Sequence, residues 1–242
     1  MNKLFSFQII KQSFKSVWIW WFISFAMTAV NFFAFPTSAG AKDIDMLPVF
    51  AIEGIGGNGI IFITICAILF SNVFFTSEVD RGTLAIPLNT PTTRMKILFS
   101  KTLVYLFLLL TISIFAGILG ALSPIVHDIN FDYTKWWSLI FLWFLYSFAL
   151  GSIAFAIGCW FNKSRYSLGV TSAILGSFFF LNMFALIKDF EFCKYLTLQT
   201  LFNMQAVINS EDVTKQIIAL IAIAVPFYII GTVKFLKKDL PL

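Results

Sequence analysis

Six stretches of the chain are apolar for about the length that crosses a bilayer, and polar residues are confined to the segments between them. The stretches run over residues 17–35, 54–75, 102–122, 136–161, 166–187 and 217–233. A hydrocarbon core about 30 Å thick needs roughly 20 apolar residues in a helix, and only helices or closed barrels satisfy their backbone there. Apolar positions do not alternate with polar ones, so the pattern selects helices over barrel strands. The predicted fold is an all-α membrane protein, one domain over residues 1–242 with six transmembrane helices.

Two segments follow a different pattern. Over residues 1–16, Gln8, Lys11, Gln12 and Lys15 share one helical face, while Leu4, Phe7, Ile10 and Phe14 gather on the other. Such a stripe predicts an amphipathic helix lying in the membrane interface before the first span. Residues 188–215 are half apolar, with Phe190, Phe192, Leu198 and Phe202 interrupted by Lys194, Gln199 and Asn203. That mixture is too polar to span and too apolar for a free loop. Short re-entrant outer helices before the last span satisfy both facts, because irregular backbone at membrane depth must pack against protein.

Composition and charge add orientation. Charged residues make up 12% of the chain, against about 25% in soluble domains, and 31 Phe, 7 Trp and 6 Tyr exclude a disordered chain. Of the 17 Lys and Arg, twelve fall on the side of the spans that holds both termini and five on the other. The acids run the opposite way, three against nine. Both termini are therefore expected in the cytoplasm, with the protein multi-pass in the plasma membrane. The net charge of +5 is a topology signal and an attraction to anionic lipid, and calls for no nucleic-acid partner.

Chemistry-bearing motifs are sparse. Cys66, Cys159 and Cys193 are too scattered for disulfides or zinc, His127 stands alone, and no metal site is expected. Gly54, Gly56 and Gly59 form G-x-G-x-x-G, but at the outer end of an apolar run rather than after a strand, so close helix approach or a bent helix entry is the better reading. No P-loop occurs. Asn162-Lys163-Ser164 matches the glycosylation pattern on the cytoplasmic side, where it has no use. No cleavable signal peptide is expected either, since the first apolar run is near spanning length.

The span interiors contain no Asp, Glu, Lys, Arg or His. Ion-coupled carriers and intramembrane enzymes depend on such groups, so an ion-driven carrier is disfavoured and the chain is expected not to be an enzyme. Ala154/Gly158, Gly169/Ala173 and Ser172/Gly176 have the spacing of close helix packing, within the bundle or between subunits. Asn72 and Asn182 are read as interhelical hydrogen-bonding residues before pathway-lining ones, and Pro226 is expected to kink the last span.

The longest cytoplasmic connection, residues 77–101, holds Glu78, Asp80, Arg81, Gly82, Thr83 and Leu84, then Pro91 and Arg94, then Lys101 opening the third span. This order resembles the signature of ABC-2 type permeases, the membrane subunits of type V-like ATP-driven exporters, and the six-span layout is similar throughout. The resemblance implies that residues 77–101 form a coupling helix seated on a separate ABC ATPase subunit, which binds the ATP and Mg²⁺. Glu78, Asp80, Arg81, Gly82, Thr83, Leu84, Pro91 and Arg94 would make that contact, with Asp80, Arg81 and Arg94 as charged handles and Leu84, Ile86 and Leu88 as an apolar face. Lys163 and Arg165 would add a second contact. Pro87 departs from the pattern and is expected to bend or break the helix. The resemblance further implies pairing with a second permease copy or paralogue, and the Phe-rich spans resemble exporters of amphipathic peptides such as bacteriocins and phenol-soluble modulins. Export of lipid or drug, and a non-transporting assembly or signalling partner, remain the alternatives.

Overall fold

A computed structural model describes residues 7–38, 46–83, 93–126, 131–185 and 187–238. Among the described residues every regular element is a helix, and six helices are long and apolar enough to cross a membrane. Helix α1 (Phe7–Ser38) runs without a break through the boundary expected near residue 16, so its start is not a separate interfacial helix over residues 7–16. No Gly or Pro stands between Phe7 and Phe35 to interrupt it. Its faces are nevertheless sorted as the pattern implies, with Lys11, Gln12 and Lys15 exposed and Ile10 and Phe14 packed on the core.

Helix α2 (Leu47–Asp80) is 34 residues long, roughly 50 Å at about 1.5 Å per residue, and outruns a bilayer core of about 30 Å. Two wide π-helical stretches, Phe50–Gly59 and Asn72–Ser77, flank its regular turns over Ile60–Ser71. Such stretches are rare, and here small residues permit the first. A Cβ on Gly59 would lie 2.8 Å from the Gly54 carbonyl oxygen, and one on Gly56 would lie 2.4 Å from Met204 Cε. The glycine motif thus serves helix geometry and close packing.

Helices α3 (Arg94–Val126), α4 (Tyr133–Trp160) and α5 (Ser164–Phe184) follow. Then come 3₁₀ turns at Lys188–Leu196 and Leu198–Leu201, short α6 (Met204–Ile208), and α7 (Thr214–Lys237), which runs through Pro226 as one helix. Asp132 caps α4, its Oδ1 accepting from the Thr134 and Lys135 N–H groups at 3.1 and 3.2 Å. The segment before α7 is pinned to the same end of the bundle. Phe202 stacks on Tyr146 at 5.6 Å, and Lys135 Nζ donates to the Ile208 carbonyl at 2.8 Å.

Helix α4 is the centre. Every residue from Ala149 to Ala156 is buried, so over those turns all its faces are covered; the helix as a whole packs against α2, α3, α5 and α7. The pairing of α7 with α4 is the most extensive in the bundle, and α1 packs chiefly on α3. Helices α5 and α7 keep apolar faces exposed, Phe180 and Met183 on the first and Ile218 and Ile229 on the second. The ends of α2, α4 and α7 and the starts of α3 and α5 meet at one end of the bundle, termed basal here, where Asp80, Arg94, Phe161, Ser164 and Lys238 are hydrogen-bonded to one another's elements.

Candidate functional site

The basal end of α2 is a π-helical stretch, and its widened turn presents the Phe74 carbonyl sideways to α3. Lys101 Nζ donates to that oxygen at 3.0 Å and also pairs with the Glu78 carboxylate. Lys101 is only 1% exposed. Helix α3 begins at Arg94, so Lys101 stands about two turns inside the helix rather than at its first residue. The burial is sustained because the carboxylate and the carbonyl together replace the water that the ammonium loses.

Beyond Glu78 the helix ends on Gly82, at φ 68°, the left-handed backbone that terminates helices and that a side chain resists. The Arg81 N–H donates to the Ser77 carbonyl at 3.0 Å and the Gly82 N–H to the Val79 carbonyl at 3.1 Å. Thr83 Oγ1 reaches the Glu78 carbonyl at 3.3 Å. Asp80 accepts from the Ser164 N–H at 3.0 Å, so a carboxylate from α2 sits on the N-terminus of α5, where the helix dipole favours it. Of the residues expected to face a partner, Glu78 therefore binds inward, Asp80 is exposed yet bonded to the start of α5, and Arg81, Gly82 and Thr83 are exposed. Leu84, Ile86, Pro87, Leu88 and Pro91 lie outside the described residues.

Arg94 is exposed at the start of α3 and donates from Nη1 to the Lys238 carbonyl at 3.1 Å. Lys238 in turn donates from Nζ to the carbonyls of Cys159 and Phe161 at 3.1 and 2.6 Å, satisfying oxygens that the end of α4 leaves open. Lys163 and Arg165 are exposed on either side of Ser164, so the second expected contact set stands next to Asp80. Arg165 folds over the Tyr166 ring at 4.8 Å.

Burial pushes the Lys238 ammonium down from 10.5 to about 8. At this group the unfolded chain then binds more protons than the folded one from about pH 8 to 10.5, so its own contribution to stability rises with pH across that window. Thermal unfolding in detergent at pH 7.5 and 10, compared between the unaltered chain and Lys238→Met, checks this. The unaltered chain should gain stability relative to the variant at the higher pH; an equal change in both would assign the pH dependence to other groups.

Polar side chains on the last turns of α2 complete the site. Ser71 Oγ donates to the Ala154 carbonyl at 2.6 Å, and Thr76 Oγ1 donates to the Gly158 carbonyl at 2.9 Å and meets Ser167 Oγ at 3.0 Å. Asn72 Nδ2 donates to Ser164 Oγ at 2.8 Å, the interhelical role expected of it, while Asn182 lines a cavity of about 330 Å³ with Gln199 and Gln205. Gly158 is tight, since a Cβ there would lie 2.6 Å from Ser71 Oγ, whereas Gly169 and Gly176 of α5 face open space. The basal end of α2 is thus bonded to α3 through Lys101, to α4 through two carbonyls, and to α5 through Asp80, Asn72 and Thr76. A displacement of the chain after Gly82 would reach all three helices through short polar contacts.

Among the described residues no group of His, Cys, Asp and Glu could hold a metal ion. The model of the family described as ABC-2 family transporter protein matches residues 7–240. Comparison with curated proteins finds no match.

Proposed function

Because the chain belongs to the ABC-2 transporter family, as a multi-pass membrane permease that works with ABC ATPase subunits, we propose that it is the membrane subunit of an exporter of amphipathic or hydrophobic peptides. Both termini and the basal end face the cytoplasm in this reading. The chain hydrolyses nothing itself, and ATP and Mg²⁺ bind to the partner ATPases, whose closure moves the connection between α2 and α3. The observation that carries the proposal is the division of labour around Gly82. Glu78 and Asp80 are bonded into the bundle, and Arg81 and Thr83, next along the chain, are exposed. A partner that grips Arg81 and Thr83 therefore pulls on α3 through the Glu78–Lys101 pair and on α5 through the exposed Asp80 carboxylate.

A second permease, copy or paralogue, completes the path. The outward face of α5 supports this, because Gly169 and Gly176 leave open space beside exposed Ser172 and Ala173, a surface on which another helix can lie close. Peptide is preferred as cargo because the bundle presents apolar and aromatic side chains and few charges, which suits a chain with one apolar face.

The test is co-purification with the ABC ATPase. Arg81→Glu is expected to weaken association by about tenfold, the order of one reversed interfacial charge, with thermal stability unchanged because the side chain is exposed. Unaltered association would remove the docking role. ATP hydrolysis by the reconstituted complex should rise on adding amphipathic peptides and not on adding lipids or drugs; the reverse would reassign the cargo.

A further inference from the structure

The apolar face that α3 and α7 leave between them is a groove of about 430 Å³. One wall is the row Leu98, Thr102 and Leu106 of α3, the other is Val225, Ile229 and Val233 of α7, and Phe148 of α4 forms the floor. Residues four apart on a helix lie one above the other, so each row runs along its helix from the basal end toward mid-span. Extended by one turn toward the basal end, the α3 row reaches Arg94 and the α7 row reaches Lys237. Both cations are exposed. Arg94 uses one of its five guanidinium N–H donors on the Lys238 carbonyl, the bond that ties α3 to α7 just below the groove. The groove opens to the side, where Val225, Ile229 and Val233 are each more than 40% exposed.

We propose that this groove is a binding site for one anionic phospholipid, its acyl chain between the two rows and its phosphate between Arg94 and Lys237. Three features select that occupant. The walls offer almost nothing polar, and the Thr232 hydroxyl beside them is spent on the Tyr228 carbonyl at 2.8 Å, so the body of the ligand is hydrocarbon. The groove runs along the bundle axis, as acyl chains do in a bilayer. The cations stand only at its basal end, at the depth of a headgroup, where each Lys or Arg favours an anionic lipid. A zwitterionic lipid would fill the apolar part equally well but neutralise neither cation. Since the lipid bridges the two helices that Arg94 and Lys238 join, it would hold the start of α3 against the end of α7. The inference needs only that the chain spans a membrane, and it stands whether or not the cargo is a peptide.

Native mass spectrometry of the full chain, released from nanodiscs of phosphatidylglycerol or of phosphatidylcholine, tests the site. The wild-type chain should retain one phosphatidylglycerol, and Lys237→Gln should lower its retention about fivefold, toward the phosphatidylcholine level. Thr102→Trp, which fills the groove, should abolish retention of both lipids. Ile229→Trp, at a more exposed position, repeats that test should the first variant unfold, with helical content followed by circular dichroism. Retention by a folded groove-filling variant, equal retention of the two lipids, or a cysteine cross-link from position 229 to a second chain in the intact membrane would each overturn the proposal.

Discussion

Lys101→Met is expected to destabilise the chain by about 3–5 kcal/mol, the cost of leaving one member of a buried ion pair without its partner. The Glu78 carboxylate would stay between α2 and α3 with only 18% of its side chain exposed, and the Phe74 carbonyl would lose its donor. Glu78→Gln should cost a comparable amount, because the Lys101 ammonium, with 2% of its side chain exposed, keeps oxygens to donate to but loses its counter-charge. The double variant Lys101→Met/Glu78→Gln should recover much of the loss, since a neutral pair of similar volume no longer buries an uncompensated charge. Thermal unfolding of the four proteins closes a double-mutant cycle, and an interaction energy near zero would mean that the pair does not bind α2 to α3. Function should part from stability in the same series. The refitted double variant is expected to fold and to associate with its ATPase through Arg81, yet to transport poorly, because the polar link that carries displacement into α3 is gone. Full transport by the double variant would reduce the pair to packing.

The six spans were legible because hydrophobicity is a local, additive property of the chain, and each run specified its own helix. The ends of those helices were not. Helix α2 continues beyond residue 75 to Asp80 because Lys101 and Ser164, from elsewhere in the chain, satisfy Glu78 and Asp80. Read locally, two acids beside an Arg-Gly-Thr turn are an exposed connection, and nothing in the spacing tells an inward carboxylate from an outward one. Lys238 was similarly opaque. It reads as one more cation of a basic tail, and its role at the end of α4 exists only through contacts with residues nearly eighty positions earlier. The glycine-rich start of α2 was readable in kind, since glycines in an apolar run admit close approach, but the π-helical turns were not, because they depend on where Met204 and the Gly54 carbonyl come to rest. The small pairs on α4 and α5 look alike in sequence. Ala154/Gly158 receives the polar turns of α2, while Gly169 and Gly176 meet nothing, and that difference decides which face stays uncovered.

Gly120→Ala should be a strongly damaging single-methyl change and a sharp control on the basal site. A Cβ at Gly120 would stand 2.0 Å from Trp136 Cζ2, with two further ring atoms inside 3 Å. The indole cannot swing aside. It is fully buried, Nε1 donates to the Gly117 carbonyl at 2.8 Å, and Phe131 packs edge-on to it at 5.7 Å. Relief requires α3 and α4 to separate, and overpacking of this kind costs about 1–3 kcal/mol, toward the upper limit where neither backbone nor ring can yield. Trp136→Phe in the Gly120→Ala background should return part of that loss by removing the ring that is struck, though it also forfeits the bond to Gly117. A cost below about 0.5 kcal/mol for Gly120→Ala, within the range of ordinary surface changes, would mean that the helices are not held at this distance. The position lies at the end of the bundle opposite Arg81, so protein that remains folded should associate with the ATPase as the unaltered chain does. Arg81→Glu is expected to do the reverse, sparing stability and weakening association. Loss of association in both variants in proportion to lost stability would show docking to be a readout of folding, and the partner surface would then have to be sought away from the turn at Gly82.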